Sequence, residues 1–438
     1  MKTALHFAPA RGWLNDPNGL IEYRGVHHFF FQHNPDELVM KDMAWGHASS
    51  TDLITWTEHP VALRPGASGS YDGDGCWSGC AVDTGDGVVV VYSGNNGGFQ
   101  LPCVATALDD DLITWQKSPA NPVIGTRPPV AEIEEMRDHS VRLAGGRWRQ
   151  VLAAGAAGRG LLVGYSSTDL IHWSWEGVVL SAADAELPGQ IFECPDVFEV
   201  DGGAVAIISL IEGHQQPGPV IWVTGRFDET RIIPQHWGLV DHGNRFYAPQ
   251  SYSDATGRRI MFGWLLTQQD PAALGQPAVG AASLPRILSV VDGRLHQELA
   301  AEVRARRGEP VTSTADPDGA VRTKMIPTAA AEVSVLCQST VDLLAVTVEF
   351  EDADGHQMAI ALAGFVAGHV LRDGRWEPHD CEPRAATVIF DSGIVEVFLD
   401  DGRAASWTDA RLEVVGRVEV RGGADAPVAA TVWPLSGE

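Results

Sequence analysis

Asp52-Leu53-Ile54-Thr55-Trp56 returns as Asp111-Leu112-Ile113-Thr114-Trp115 and again as Asp169-Leu170-Ile171-His172-Trp173. The offsets are 111 − 52 = 59 and 169 − 111 = 58 residues. A pentapeptide that recurs at near-constant spacing marks a repeat architecture. Within each period lie short β-type runs, as at residues 88–92, 160–165, 204–210 and 259–264, separated by Gly, Asn, Asp and Pro. Four short strands per period make the blade of a β-propeller, and five blades of this size need about 290 residues. The pattern changes character after Leu295. The spacing therefore predicts an all-β chain whose residues 1–295 form a five-bladed β-propeller, with the repeat tryptophans packed between blades.

Beyond that point, Leu299 and Val303 are spaced i, i+4 among Glu and Arg, which predicts a short helix over 296–307 within a linker at 296–309. Pro310 ends it. From 310 to 438 the apolar residues alternate, at 344–350, 386–390, 395–399, 417–421 and 429–433, with a hairpin turn at Asp400-Asp401-Gly402. This is the pattern of a C-terminal β-sandwich.

The chain has 438 residues, 45% of them hydrophobic, and a formal net charge of −26. That charge argues against nucleic acid or an anionic membrane as partner, since phosphates are held by clustered Lys and Arg. No apolar run reaches the ~18–20 residues of a membrane span, and residues 1–11 lack the h-region of a secretory signal. Cysteines 76, 80, 103, 194, 337 and 381 are sparse, and Cys76-x-x-x-Cys80 has no matching Cys/His set. Buried reduced thiols in a cytoplasmic protein are expected. No metal site is expected, and the histidines form no ligand set.

The repeat also phases a second group of residues. Asp16 lies in Trp13-Leu14-Asn15-Asp16-Pro17-Asn18-Gly19, a constrained polar turn between apolar runs. One period on (77 − 16 = 61) stands Trp77, followed by Ser78-Gly79; the next (138 − 77 = 61) is Asp138, after Arg137. The fourth (193 − 138 = 55) is Glu193 and the fifth (248 − 193 = 55) is Ala248. Equivalent positions of successive blades meet around the central channel, so Asp16, Asp138 and Glu193 should converge.

Three carboxylates at a channel mouth suit a metal or glycoside hydrolysis. The loops lack the alternating acidic pattern of an all-oxygen metal site. In glycoside hydrolysis one carboxylate attacks the anomeric carbon and a second, protonated, donates to the leaving oxygen. Glu193, among Ile191, Phe192, Cys194 and Pro195, is the expected acid/base, because desolvation and like charge favour its protonated form. Asp16, among amide donors, is the expected nucleophile and is expected to stay ionised. Arg137 is expected to keep Asp138 ionised beside the reacting ring, where it would steady an oxocarbenium-like transition state. Cys194 is expected to be a packing group.

At these residues the sequence resembles glycoside hydrolase family 32, the β-fructosidases. The block around Asp16 resembles the family's nucleophile block, Glu193-Cys194-Pro195-Asp196 its acid/base block, and Arg137-Asp138 its transition-state-stabilising block. Trp77-Ser78-Gly79 is similar to a segment lining the fructose pocket, and Ser283-Leu284-Pro285-Arg286 and Asp391-Ser392 through Phe398 extend the likeness. The resemblance implies a propeller plus sandwich, a retaining mechanism and no cofactor. It implies a β-fructofuranosidase that releases terminal fructosyl units from sucrose and short fructo-oligosaccharides. Substrate contacts are expected from Leu14, Asn15, Gln32, Trp45, Trp77, Ser78, Arg137 and Trp264, with Trp45, Trp77 and Trp264 stacking on sugar faces. Fructosyl transfer, hydrolysis of sucrose 6-phosphate, and a non-catalytic sugar-binding propeller are the alternatives. One residue departs from the family: His139 follows Asp138 where proline is usual, which removes a backbone restraint on Asp138.

Overall fold

The computed structural model describes residues 3–97, 99–212, 216–267, 277–313, 320–337, 346–362, 369–372, 375–378, 383–409, 411–422 and 428–437. The fold is nearly all β. Five antiparallel sheets follow one another along the chain, each with its strands joined in sequence order. The first holds Gly12–Tyr23, Val26–Asn34, Ala44–Ser50 and Thr57–Leu63; the second Gly75–Asp83, Val88–Asn96, Phe99–Ala107 and Trp115–Lys117. The third holds Ile133–Ala144, Arg147–Ala156, Arg159–Ser167 and Trp173–Ser181, and the fourth Ile191–Val200, Gly203–Glu212, Gln216–Asp228 and Arg231–Leu239. The fifth is built from Phe246–Ser253, Arg259–Leu265, Arg286–Val291 and Arg294–Leu299.

The leading strand of each sheet packs on the leading strand of the next, and Phe246–Ser253 returns onto Gly12–Tyr23, so the ring closes. Parallel pairing of Gly12 and Trp13 with Ala278 and Val279 ties the late chain to the first strand.

The repeated pentapeptide is a turn before the last strand of the first three sheets. Leu53, Leu112 and Leu170 all take positive φ, at 65°, 55° and 64°. In each copy the indole N–H of the tryptophan donates to that leucine's carbonyl, at 3.1, 2.9 and 3.0 Å. Trp56 packs against Phe29 of the first sheet and Phe262 of the fifth, and Trp115 against Phe30 of the first. The turn needs a carboxylate to receive the backbone N–H groups freed by the left-handed leucine. Asp52 and Asp169 do this from the first position of the repeat. In the middle copy Asp109, two residues before Asp111, does it instead.

The helix expected over 296–307 is confined to Ala301–Arg304. His296–Leu299 belongs to the last strand of the fifth sheet, where Leu295, Gln297 and Leu299 are buried in alternation. That period of two, satisfied by pairing with Arg286–Val291, outweighs the single i, i+4 pair.

Two further sheets lie in the C-terminal part. One runs Val311–Thr312, Val428–Pro434, Ala330–Cys337, Ala385–Asp391, Ile394–Leu399, Ala404–Thr408; the other Val321–Thr328, Val415–Arg421, Thr347–Glu351, Gln357–Ala361. Val333, Val388, Phe390 and Val397 of the first share a core with Val348, Phe350, Val418 and Val420 of the second. A hairpin of His369–Arg372 and Arg375–Pro378 leaves this part and extends the fourth sheet beyond Arg231–Leu239. Its His369 ring stacks on Trp237 at 4.4 Å.

Buried charge joins the two parts. Asp391 accepts N–H groups from Ala4, Leu5 and His6 and faces the His6 ring, while Glu396 bridges His6, the Leu284 N–H and Arg286. Arg286 also reaches Asp241 and Ser406. Burial alone would strip the proton from His6, but its two carboxylates more than offset that and raise it to about 9.

Cysteines 76, 80, 103 and 194 are free thiols, buried except for the half-buried Cys194, and Cys337 is buried; Cys381 lies outside the described residues.

Candidate active site

Each of the five leading strands carries a register shift near its start. The shifts fall between Leu14 and Pro17, Trp77 and Gly79, Arg137 and His139, Glu193 and Asp196, and Tyr247 and Gln250. A bulge frees a residue from the ladder and re-aims its side chain. Asp138, Cys194 and Ala248 reach this by positive φ, at 57°, 43° and 47°. The first four bulges bring Asp16, Ser78, Asp138 and the Glu193-Cys194 pair to one place.

The thiol of Cys194 stands 3.5 Å from Oδ2 of Asp16 and 3.5 Å from Oδ2 of Asp138. Two carboxylates from the first and third sheets therefore share one S–H group from the fourth. Burial and three neighbouring carboxylates push that thiol far up, so it stays protonated and can donate. Cys194 is a polar link in the site as well as a packing group. Its backbone N–H also donates to Asp138 Oδ2 at 2.9 Å.

Asp16 is half-buried at the first bulge. Ser78 Oγ donates to its Oδ2 at 2.6 Å and Asn15 Nδ2 to its Oδ1 at 2.9 Å, with Asn15 held in turn by the Trp13 indole at 2.8 Å. Removal from water raises the Asp16 carboxyl, and those donors and Cys194 pull it back only in part, while Glu193 adds to the rise. The expectation that amide donors alone would hold it low therefore understates the burial.

Arg137 does not pair with its neighbour in sequence. Its Nε and Nη2 donate to Glu193 Oε1 at 2.9 and 2.6 Å, and its Nη1 to Glu135 at 2.8 Å. Glu193 is thus clamped by a guanidinium rather than set in an apolar pocket. Tyr247 completes the clamp, its hydroxyl 2.7 Å from Glu193 Oε2 and 3.0 Å from the Leu210 carbonyl. Asp138 is buried, at 4% exposure. Desolvation raises it to about 7, which Arg137 opposes and Glu193 and Asp16 reinforce. The charge of Arg137, expected to keep Asp138 ionised, is outweighed in part by burial, so Asp138 becomes ionised only as pH climbs through about 7.

The other expected contacts divide in two. Trp77 is half-buried, with the Arg137 guanidinium 5.9 Å from its ring centroid. Trp264 packs against Trp13 and Tyr247, at 6.0 and 6.4 Å between rings, and its Nε1 has no partner among the described residues. Leu14 and Trp45, by contrast, show no exposed surface. Leu14 belongs to the core, and Trp45 packs on Phe30 and Tyr92 while its indole N–H donates to the Trp77 carbonyl. Neither has a side-chain face to offer a sugar. Gln32 is buried and braces two bulges, donating to the Cys76 carbonyl at 3.0 Å and, with the Asn18 amide in its hydrogen-bonding orientation, to Asn18 at 2.9 Å.

Sequence reasoning passed over Tyr247, Trp13 and Ser93. Tyr247 was reachable, because it immediately precedes the fifth phased position. Ser93 carried no signal; it lies on the second strand of its sheet and meets the site only across the ring.

The site defines the class first. Paired acids with an arginine, a tyrosine and an aromatic rim, on an all-β scaffold, form an arrangement suited to acid–base and nucleophilic work on a carbohydrate. Comparison with known proteins gives the family. The model for the glycosyl hydrolases family 32 N-terminal domain matches residues 6–299, and the chain belongs to that family. Among curated relatives, raffinose invertase of Escherichia coli is 34% identical over 332 residues, covering 69% of this chain and 65% of that one. A sucrose-6-phosphate hydrolase of Klebsiella pneumoniae is 29% identical over 432 residues, covering 91% and 86%. The match to raffinose invertase thus spans just under two thirds of that protein. Among solved structures, the Bombyx mori family 32 β-fructofuranosidase superposes with a TM-score of 0.80 over 99% of this chain and 94% of its own, at 23% identity. That likeness is one of fold.

Proposed function

We propose that the protein is a retaining β-fructofuranosidase that releases terminal non-reducing β-D-fructofuranosyl residues from sucrose and short fructo-oligosaccharides. The observation that carries this is the meeting of Asp16 and Asp138 on the Cys194 thiol, one residue from Glu193. Asp16 attacks the anomeric carbon and forms a fructosyl ester. Glu193 first protonates the leaving oxygen and then takes a proton from the incoming water. Ionised Asp138 accepts hydroxyl hydrogens of the sugar and offsets charge at the anomeric centre.

Tyr247 suits the double role of Glu193. With Glu193 protonated, its O–H donates to the tyrosine oxygen while the tyrosine donates to the Leu210 carbonyl. With Glu193 ionised, the tyrosine turns its proton to the carboxylate. One hydroxyl thus serves both states.

The same reading treats the five sheets as blades of a propeller around a channel, supported by the closed contact of the leading strands. It treats the two C-terminal sheets as a sandwich, supported by their common core. The boundary between the two parts then falls after Leu299, where the fifth sheet ends.

The test is product analysis with sucrose, sucrose 6-phosphate, a short inulin-type oligosaccharide and levan. Fructose release from sucrose and the short oligosaccharide supports the proposal. Release from the phosphorylated sugar alone, the substrate in the Klebsiella relative's name, keeps the mechanism and changes the substrate. Products lengthened by one fructosyl unit at high sucrose point to transfer. Binding without turnover would sink the enzymatic reading.

A further inference from the structure

We infer that His139 and Ser93 are positioning residues that fix the Asp138 carboxylate relative to Asp16, a role that rests on the catalytic reading given above. Asp138 sits at φ 57°, a left-handed conformation that a non-glycine residue holds only when its surroundings impose it. The bulge takes it out of the ladder, since Arg137 pairs with Ala153 and His139 with Leu152. Its freed N–H donates to Ser93 Oγ at 3.0 Å. Ser93, fully buried in the second sheet, also stands 3.1 Å from the Ser78 carbonyl and 3.1 Å from His139 Nε2.

A hydroxyl has one proton to give and two lone pairs to receive. One assignment satisfies all three contacts. The Asp138 N–H and the His139 Nε2–H donate to Ser93, and Ser93 donates to the Ser78 carbonyl. This fixes the histidine tautomer and leaves Nδ1, which has no partner among the described residues, as a bare lone pair. The imidazole is 1% exposed, and burial pushes it down to about 3, so it remains neutral at working pH.

Ser78 closes the chain, since its own hydroxyl donates to Asp16. One buried serine oxygen therefore ties the bulge presenting Asp138 to the bulge that supports Asp16. His139 orients that serine. Here hydrogen bonds, with no proline at 139, hold Asp138 in its left-handed conformation. Neither residue reaches the reacting atoms.

The test compares His139→Ala, Ser93→Ala, the double variant and His139→Gln for fructose release and thermal unfolding. Each alanine variant is expected to lower kcat on the order of 10-fold with KM nearly unchanged, because misplacing a reacting group costs rate more than binding. The double variant should be no worse than either single one, as they act through one path. His139→Gln, whose amide nitrogen reaches the place of Nε2, should recover most of kcat. Wild-type kcat in both alanine variants would overturn the inference. So would losses that follow stability alone, with glutamine no better than alanine. Amide exchange at Asp138 gives a readout independent of turnover. Its protection should fall in both alanine variants, and unchanged protection would overturn the inference even if no tested fructoside is cleaved.

Discussion

Arg137 places two N–H groups on a single oxygen of Glu193, at 2.9 and 2.6 Å, and leaves the other oxygen to Tyr247. The guanidinium is thus turned away from Asp138, its neighbour in the chain. The consequence is a division of states: Glu193 is gripped from both sides, and Asp138, buried and facing two other carboxylates, holds its proton up to about 7.

Activity should therefore depend on pH through Asp138. Its ionised form is the one that accepts sugar hydroxyls, so kcat should rise as pH climbs through about 7. The charge of Arg137 lowers Asp138, so Arg137→Gln should move that rise to higher pH and lower kcat by on the order of 100-fold. A pH–kcat profile checks this. A rise displaced to lower pH in the variant would contradict it.

Trp45 and Trp264 should behave oppositely. Trp45 is wholly inside the core, so Trp45→Ala should cost ~3–5 kcal/mol of stability, while the milder Trp45→Phe lowers Tm and leaves KM unchanged. Trp264→Phe removes an Nε1–H that has no partner among the described residues and should raise KM for sucrose several-fold, with a smaller loss of Tm than Trp45→Ala. Steady-state kinetics and thermal unfolding separate the two.

The middle pentapeptide makes a finer prediction. Asp109 receives the Ile113 and Thr114 N–H groups, at 2.9 and 2.8 Å, where Asp52 and Asp169 serve the other copies. Asp109→Ala should therefore cost about 1 kcal/mol, as loss of a capping carboxylate does, and Asp111→Ala should stay within about 0.5 kcal/mol of the parent. Denaturant unfolding of the two variants decides it.

His6 predicts an alkaline weakness where the two parts of the chain meet. Its folded pKa is raised from 6.5 to about 9, so its contribution is fully present below about 6.5 and is lost as pH rises through about 9. The effect is on the order of 3 kcal/mol. Its partners Asp391 and Glu396 are lowered instead, so their contribution disappears on the acid side. Tm should fall between pH 7 and 10 in the parent and much less in His6→Gln. Equal alkaline losses in both would contradict this.

The sequence makes the recurring features legible and hides the rest. Offsets of 55–61 residues placed Asp16, Trp77, Asp138 and Glu193 in one phase, because each leading strand carries its bulge near its start. The direction of a side chain is another matter. Arg137 follows a carboxylate across the ring rather than the one beside it, and Trp45 turns into the core from a motif that reads like a sugar platform. Ser93 is one serine among many until the ring closes. The shift from Asp111 to Asp109 shows the same limit: the pentapeptide is conserved in spelling between copies while its capping role has moved by two residues. The helix expected over 296–307 failed because one i, i+4 pair cannot compete with a strand already templated by Arg286–Val291.

Azide rescue tests the division of labour between Asp16 and Glu193 directly. Glu193→Ala and Asp16→Ala should each lose at least about 1000-fold in fructose release from sucrose while remaining folded. With an activated β-fructoside and added azide, Glu193→Ala should yield the β-fructosyl azide, because the ester to Asp16 still forms and azide replaces water. Asp16→Ala should yield the α-fructosyl azide, because azide occupies the vacated face. The same anomer from both variants, or near-normal turnover in either, would contradict the assignment.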